Sequence, residues 1–185
     1  PTIYREFEKS GASLHTADIC NRTLPFLRPA DFLPEFQSGT QNPELFSGKI
    51  EIDESCNQGQ LGDCYFICSV IALCEHPKRL KNIFLPLQQN PDLGIWRVRL
   101  CKSEGTNGWF ETYTLDDYFP TDNRKRVFCC NKAEREEMYG SLLEKAYAKA
   151  HGSHKAIVGG SAGVATSDLT GSPYQALSEL ECWDD

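Results

Sequence analysis

The chain has no apolar run long enough to cross a bilayer, and its first residues, PTIYREFEKS, lack the basic, apolar, small-residue order of a secretory leader. The two absences predict a soluble protein. An excess of positive charge is also missing: 19 Lys and Arg stand against 26 Asp and Glu, for a net charge of −7. That balance argues against nucleic acid or an anionic membrane as a partner. The basic cluster Lys78, Arg79 and Lys81 reads as a solvated helix end. Nine cysteines are present, Cys20, Cys56, Cys64, Cys68, Cys74, Cys101, Cys129, Cys130 and Cys182, but none forms a C-x-x-C pair. An odd count without ligand spacing, in a chain long enough to need no staples, argues against a disulfide framework or a structural zinc. A reduced, cytoplasmic protein is expected. The glycine-rich GGSAGVATSDLTGS, residues 159 to 172, has neither G-x-G-x-x-G nor G-K-[ST], so it is not read as a phosphate loop.

What is present suits one domain or one large subdomain, since 185 residues can bury a sizeable core. Residues 1–45 carry scattered prolines and no sustained periodicity, which predicts an irregular lead-in with a short helix near PADFLPEF. Residues 46–185 form the folded unit. CYFICSVIALC, residues 64 to 74, is apolar nearly all round and stops ahead of Pro77, as a buried helix would, with Asp63 as its N-cap. Within it Cys68 and Cys74 serve as small hydrophobes. IWRVRLC (95 to 101) and WFETYTL (109 to 115), separated by the turn-rich KSEGTNG, predict an antiparallel hairpin. From Lys132 to Ala150, Met138, Leu142, Leu143, Ala146, Tyr147 and Ala150 recur at helical spacing, predicting an amphipathic helix stopped by Gly152. The expected class is α+β, with a central buried helix, other helices around it and a small antiparallel sheet.

The chemistry concentrates in QGQLGDCYFICS, residues 58 to 69. A thiol attacks as its thiolate, and a helix N-terminus favours negative charge through its unpaired N–H groups. Cys64 occupies that position, while Cys68 lies one turn inside. Gly59 and Gly62 permit close approach of a substrate backbone. Gln58 has an amide that can face a developing oxyanion beside the Cys64 N–H. On these residues alone, an inert cysteine at a helix start with a solvent-facing glutamine remains an open alternative.

QGQLGDCYF resembles the active-site signature of the calpain family of cysteine proteases, with Tyr65 where the family usually has Trp. PELFSGKIEIDES resembles the approach to that signature. YTLDDYFPTD, LLEKAYAKAHGSHKAIVGGS and SDLTG resemble further family blocks in the same order, so the likeness runs from about residue 40 to 172. It implies a papain-like core of two halves with the cleft between them, this chain holding the first half, and proteins as substrates. Cys64 would be the nucleophile and Gln58 the oxyanion donor. Gly160, supported by Gly159, would hydrogen-bond an extended substrate. The resemblance places the catalytic His and Asn in a second half beyond Asp185 and matches none of His15, His76, His151 or His154, each then a surface or helix-end residue. The chain alone is therefore expected to be inactive; the alternative is a non-catalytic calpain-like scaffold or regulatory module. Family cores also hold Ca2+ in this half. Glu137 matches one ligand, but the usual Asp is Ser55 here, leaving Asp53 and Glu54 as substitutes.

Overall fold

The computed structural model describes residues 25–32, 45–46, 50, 56–85, 94–104, 107–122, 125–126 and 137–176. Its elements run β1 (Phe26–Leu27), α1 (Pro29–Phe32), α2 (Cys64–Cys74), α3 (Pro77–Ile83), β2 (Ile95–Glu104), β3 (Asn107–Asp116), β4 (Phe119–Asp122), β5 (Lys125–Arg126), α4 (Tyr139–Ala150) and α5 (Ala162–Thr170). A 3-10 turn at Lys155–Ile157 precedes the last helix. Helices with small antiparallel sheets make the fold α+β. Of the expected lead-in helix, α1 covers Pro29–Phe32, and residues 1–24 and 33–44 lie outside the described residues.

The apolar run forms α2 as expected. Phe66, Ile67, Val70, Leu73 and Cys74 recur at three- and four-residue spacing and are buried. The ring of Phe66 stacks on Tyr147 of α4, centroids 4.3 Å apart. The helix ends at Glu75, and Pro77 then opens α3. Burial is not complete: Cys64, Cys68 and Ala72, four residues apart, form an exposed stripe. Cys68 is thus not the core cysteine its neighbours suggest, whereas Cys74 is buried and its thiol donates to the Val70 carbonyl at 3.4 Å.

β2 and β3 pair antiparallel from Ile95↔Asp116 to Glu104↔Asn107. Trp96, Val98 and Leu100 turn inward while Ile95 and Arg97 are exposed, the alternation read from the sequence. A separate sheet has the order β1-β4-β5, all antiparallel. The lead-in is tied to the β3–β4 corner by Arg28, whose Nε donates to Asp117 at 2.9 Å.

α4 departs from expectation twice. It starts at Tyr139, residues 132–136 lying outside the described residues, and it is not amphipathic in its surroundings. Every residue from Tyr139 to Ala148 is buried, including Ser141, Glu144 and Lys145. The polar side is covered because Lys145 reaches under the end of β3. It pairs with the Asp116 carboxylate and donates to the carbonyls of Asp116 (2.9 Å) and Tyr118 (2.8 Å). A buried ammonium is tolerable only with such partners. α5 closes on Gly171 at φ +73°, whose N–H returns to the Ser167 carbonyl at 2.7 Å.

Candidate active site

The loop ahead of α2 is held by its own side chains. Leu61 is buried, and Gln58 Nε2 donates to the Leu61 carbonyl at 2.7 Å. The amide is therefore used within its loop, with its second N–H left over. Next to it, the Gly62 carbonyl accepts from the Gly159 N–H at 2.8 Å. Gly159 stands at φ +71°, a conformation that favours glycine. One hydrogen bond thus joins the signature loop to the Gly-Gly loop that follows the 3-10 turn, across nearly a hundred residues of sequence.

Cys64 is exposed at the first position of α2, and Gln58, Gly159 and Gly160 are exposed beside that junction. The structure brings these four expected site residues together. Tyr65 is the second tie. Its ring occupies the space a side chain on Gly160 would need, and its hydroxyl donates to the Ile157 carbonyl at 3.1 Å. Burial raises the Tyr65 hydroxyl above its usual pKa, so it stays protonated as a donor.

Asp63 stands at the N-cap position, but its carboxyl makes no cap bond. The backbone does the capping instead: the Asp63 carbonyl accepts from Phe66 and Ile67 at 2.9 and 3.1 Å. The carboxyl is fully buried and makes no well-formed hydrogen bond among the described residues. Burial pushes its pKa up to about 6, opposed by the neighbouring Glu144 carboxyl. Sequence reading also missed Ser69, whose single hydroxyl proton is shared between the Tyr65 carbonyl at 3.0 Å and the Ala162 carbonyl at 3.2 Å, and whose oxygen accepts from Thr166 at 3.1 Å. This knot locks α2 to α5. A buried serine in an apolar run is the only signal that marks it.

No hydrogen-bond partner of the Cys64 thiol occurs among the described residues. His76 caps α3 at the far end of α2, about 18 Å away at 1.5 Å per residue. His151 is exposed after α4, with its Nε2 3.3 Å from Asp168 and its ring 4.3 Å from that of Tyr147. His154, expected at the surface, is buried instead, and burial with the nearby Lys145 lowers its pKa to about 3. It is held neutral because the ammonium and the apolar surroundings both disfavour its charge. His15 lies outside the described residues.

Glu137 is buried just ahead of α4. Ser55, Asp53 and Glu54 lie outside the described residues, and among the described residues no three His, Cys, Asp or Glu side chains gather as a metal cage. Of the carboxylate ligands expected for calcium, Glu137 alone falls among the described residues. Cys56, Cys64, Cys68, Cys74 and Cys101 are all free thiols. Among the described residues no helix is long and apolar enough to cross a membrane.

Comparison with known proteins follows the same line. The family model described as calpain family cysteine protease matches residues 5–183. The chain is 36% identical over 146 residues to the rice protein "Calpain-type cysteine protease ADL1", covering 79% of this chain and 6% of that one. It is 32% identical over 176 residues to human Calpain-9, covering 95% of this chain and 24% of the relative. With Drosophila melanogaster Calpain-A it shares 31% over 169 residues, 89% of this chain and 19% of the relative. The chain spans 6% to 24% of the length of these curated relatives. With a matching family model over nearly all of its length and a signature loop folded against its Gly-Gly loop, the chain belongs to the calpain family of cysteine proteases.

Proposed function

We propose that this chain is the nucleophile-bearing half of a papain-like core in a calpain-type cysteine endopeptidase that cleaves proteins. In this reading Cys64 Sγ attacks the peptide carbonyl carbon. Its proton passes to a histidine and then to the departing amine, leaving a thioester that water hydrolyses. The Cys64 N–H and the second N–H of the Gln58 amide face the oxyanion. Gly159 has committed its N–H to Gly62, so the backbone of Gly160 is offered to an extended substrate, with Gly159 setting the bend. The histidine and its orienting asparagine belong to a second half outside the described residues. The exposed stripe of Cys64, Cys68 and Ala72 on an otherwise apolar helix suits the face against which such a half would pack. Five free thiols among the described residues suit a reducing compartment, and we place the protein in the cytoplasm.

The observation that carries this reading is the 2.8 Å bond from Gly159 N–H to the Gly62 carbonyl, which gathers an exposed helix-start cysteine, a glutamine amide and a substrate-accessible glycine. The test is cleavage of a denatured protein substrate by the full-length parent and its variants. Cys64→Ala is expected to abolish cleavage, and Gln58→Ala to lower kcat by about 10²-fold or more. Undiminished cleavage by Cys64→Ala would overturn the assignment.

A further inference from the structure

A concave site lies at the other end of α2 from Cys64. It is a groove of about 330 Å³ where α2, α3, the hairpin and the end of α5 meet. Leu73 at its edge is nine residues beyond Cys64, about 13 Å along the helix. Leu73, Ile83 and Leu169 give it an apolar floor, and Phe110, exposed on β3, forms one wall.

Two guanidinium groups, Arg79 from α3 and Arg99 from β2, line this groove, and among the described residues no carboxylate does. The Arg79 guanidinium has no ion pair or hydrogen bond among the described residues, so one member of the basic cluster read from the sequence as a plain helix end lines this groove. Arg99 is more telling. Its guanidinium lies 4.8 Å from the Phe110 ring centroid, and its Nε–H is buried without an acceptor among the described residues. A buried charged donor left unmatched is costly, and a second cation on the same groove adds repulsion. One bound carboxylate offsets the paired positive charge, and a guanidinium fork matches its two oxygens.

We propose that this groove binds an acidic peptide segment, one carboxylate between Arg79 and Arg99 with a flanking apolar side chain on the Leu73, Ile83 and Leu169 floor beside Phe110. The apolar lining and the limit of two cations favour a side-chain carboxylate over a polyanion, as does the net charge of −7. The site is remote from Cys64 and independent of the cleavage chemistry; it would dock an acidic segment of a partner protein outside the cleft.

The experiment titrates the 185-residue chain with the peptide acetyl-Ala-Leu-Glu-Phe-Ala-amide while following the Arg99 Nε–H resonance by NMR. Saturable movement of that resonance is expected, with about tenfold weaker binding when Gln replaces the peptide's Glu. Arg79→Gln, at an exposed position, and Arg99→Lys, which keeps the charge but loses the fork, are each expected to weaken binding about tenfold. Cys64→Ala is expected to bind like the parent. An unmoved Arg99 resonance at millimolar peptide, or equal binding of the Gln peptide, would overturn the proposal. So would inorganic phosphate reproducing the same shifts at equal concentration, since that marks an unselective anion site.

Discussion

Tyr65 and Gly160 are built against each other: a Cβ placed on Gly160 would sit 2.7 Å from Tyr65 Cε2 and 2.8 Å from its hydroxyl oxygen. The ring cannot swing away freely, because its hydroxyl is bonded to the Ile157 carbonyl. Gly160→Ala is therefore expected to destabilise the fold by about 1–3 kcal/mol through overpacking. In a Tyr65→Leu background the same substitution should cost little, since the obstructing ring is gone. Urea unfolding of the four proteins in the cycle measures the coupling, and strict additivity would show that the contact is relieved elsewhere.

The ion pair under the hairpin gives a second expectation. Lys145→Met leaves the Asp116 carboxylate buried without its cation and is expected to cost about 3–5 kcal/mol. Adding Asp116→Asn removes the stranded charge and should restore part of that loss. Equilibrium unfolding checks both, and a double variant no more stable than Lys145→Met would show that the carbonyl contacts of Lys145, rather than the pair, hold α4 in place.

Much of this architecture is legible in the sequence because periodicity reports it directly. The alternation of Trp96, Val98 and Leu100 gives the hairpin, and the run after Asp63 gives the helix that carries Cys64. What is not legible depends on partners distant in the chain. Glu144 and Lys145 read as the wet side of an amphipathic helix, yet Lys145 is covered by Asp116 and Tyr118, and Glu144 is buried beside Asp63. Cys68 looks no different from Cys74, because a run without a polar stripe cannot say which side stays open. His154 carries no local mark of burial. The signature itself singled out Gln58 and Cys64, but the Gly159 to Gly62 bond that sets them beside Gly160 is a property of the folded chain alone.

Thiol accessibility separates Cys64 from Cys101. Cys64 is exposed, while Cys101 is buried on β2 and burial raises its pKa. At neutral pH, iodoacetamide should alkylate Cys64 at least about tenfold faster, because only the accessible thiolate reacts. Peptide mapping of a time course reads both rates at once. Equal rates would mean that the helix-start position gives Cys64 no advantage as a nucleophile.

Asp63 and His154 should pull the acid stability of the protein in opposite directions. Burial raises Asp63 from 3.8 to about 6, so its folded form binds a proton that the unfolded chain has released. Its contribution is complete below pH 4 and fades as pH rises through 6. His154 is lowered from 6.5 to about 3, so the unfolded chain takes the proton first, and its contribution fades as pH falls below 6.5. Between about pH 4 and 6 the two slopes oppose, each at most about 1.4 kcal/mol per pH unit. Relative to the parent, Asp63→Asn should make stability climb more steeply with pH over this window, and His154→Gln should tilt it downward. Glu144 titrates beside Asp63, so each slope is taken as a difference from the parent rather than on its own. Urea midpoints at pH 4.5, 5.25 and 6.0, values chosen to lie inside roughly that window, give the three slopes. Parallel lines for all three proteins would show that neither buried group is linked to folding.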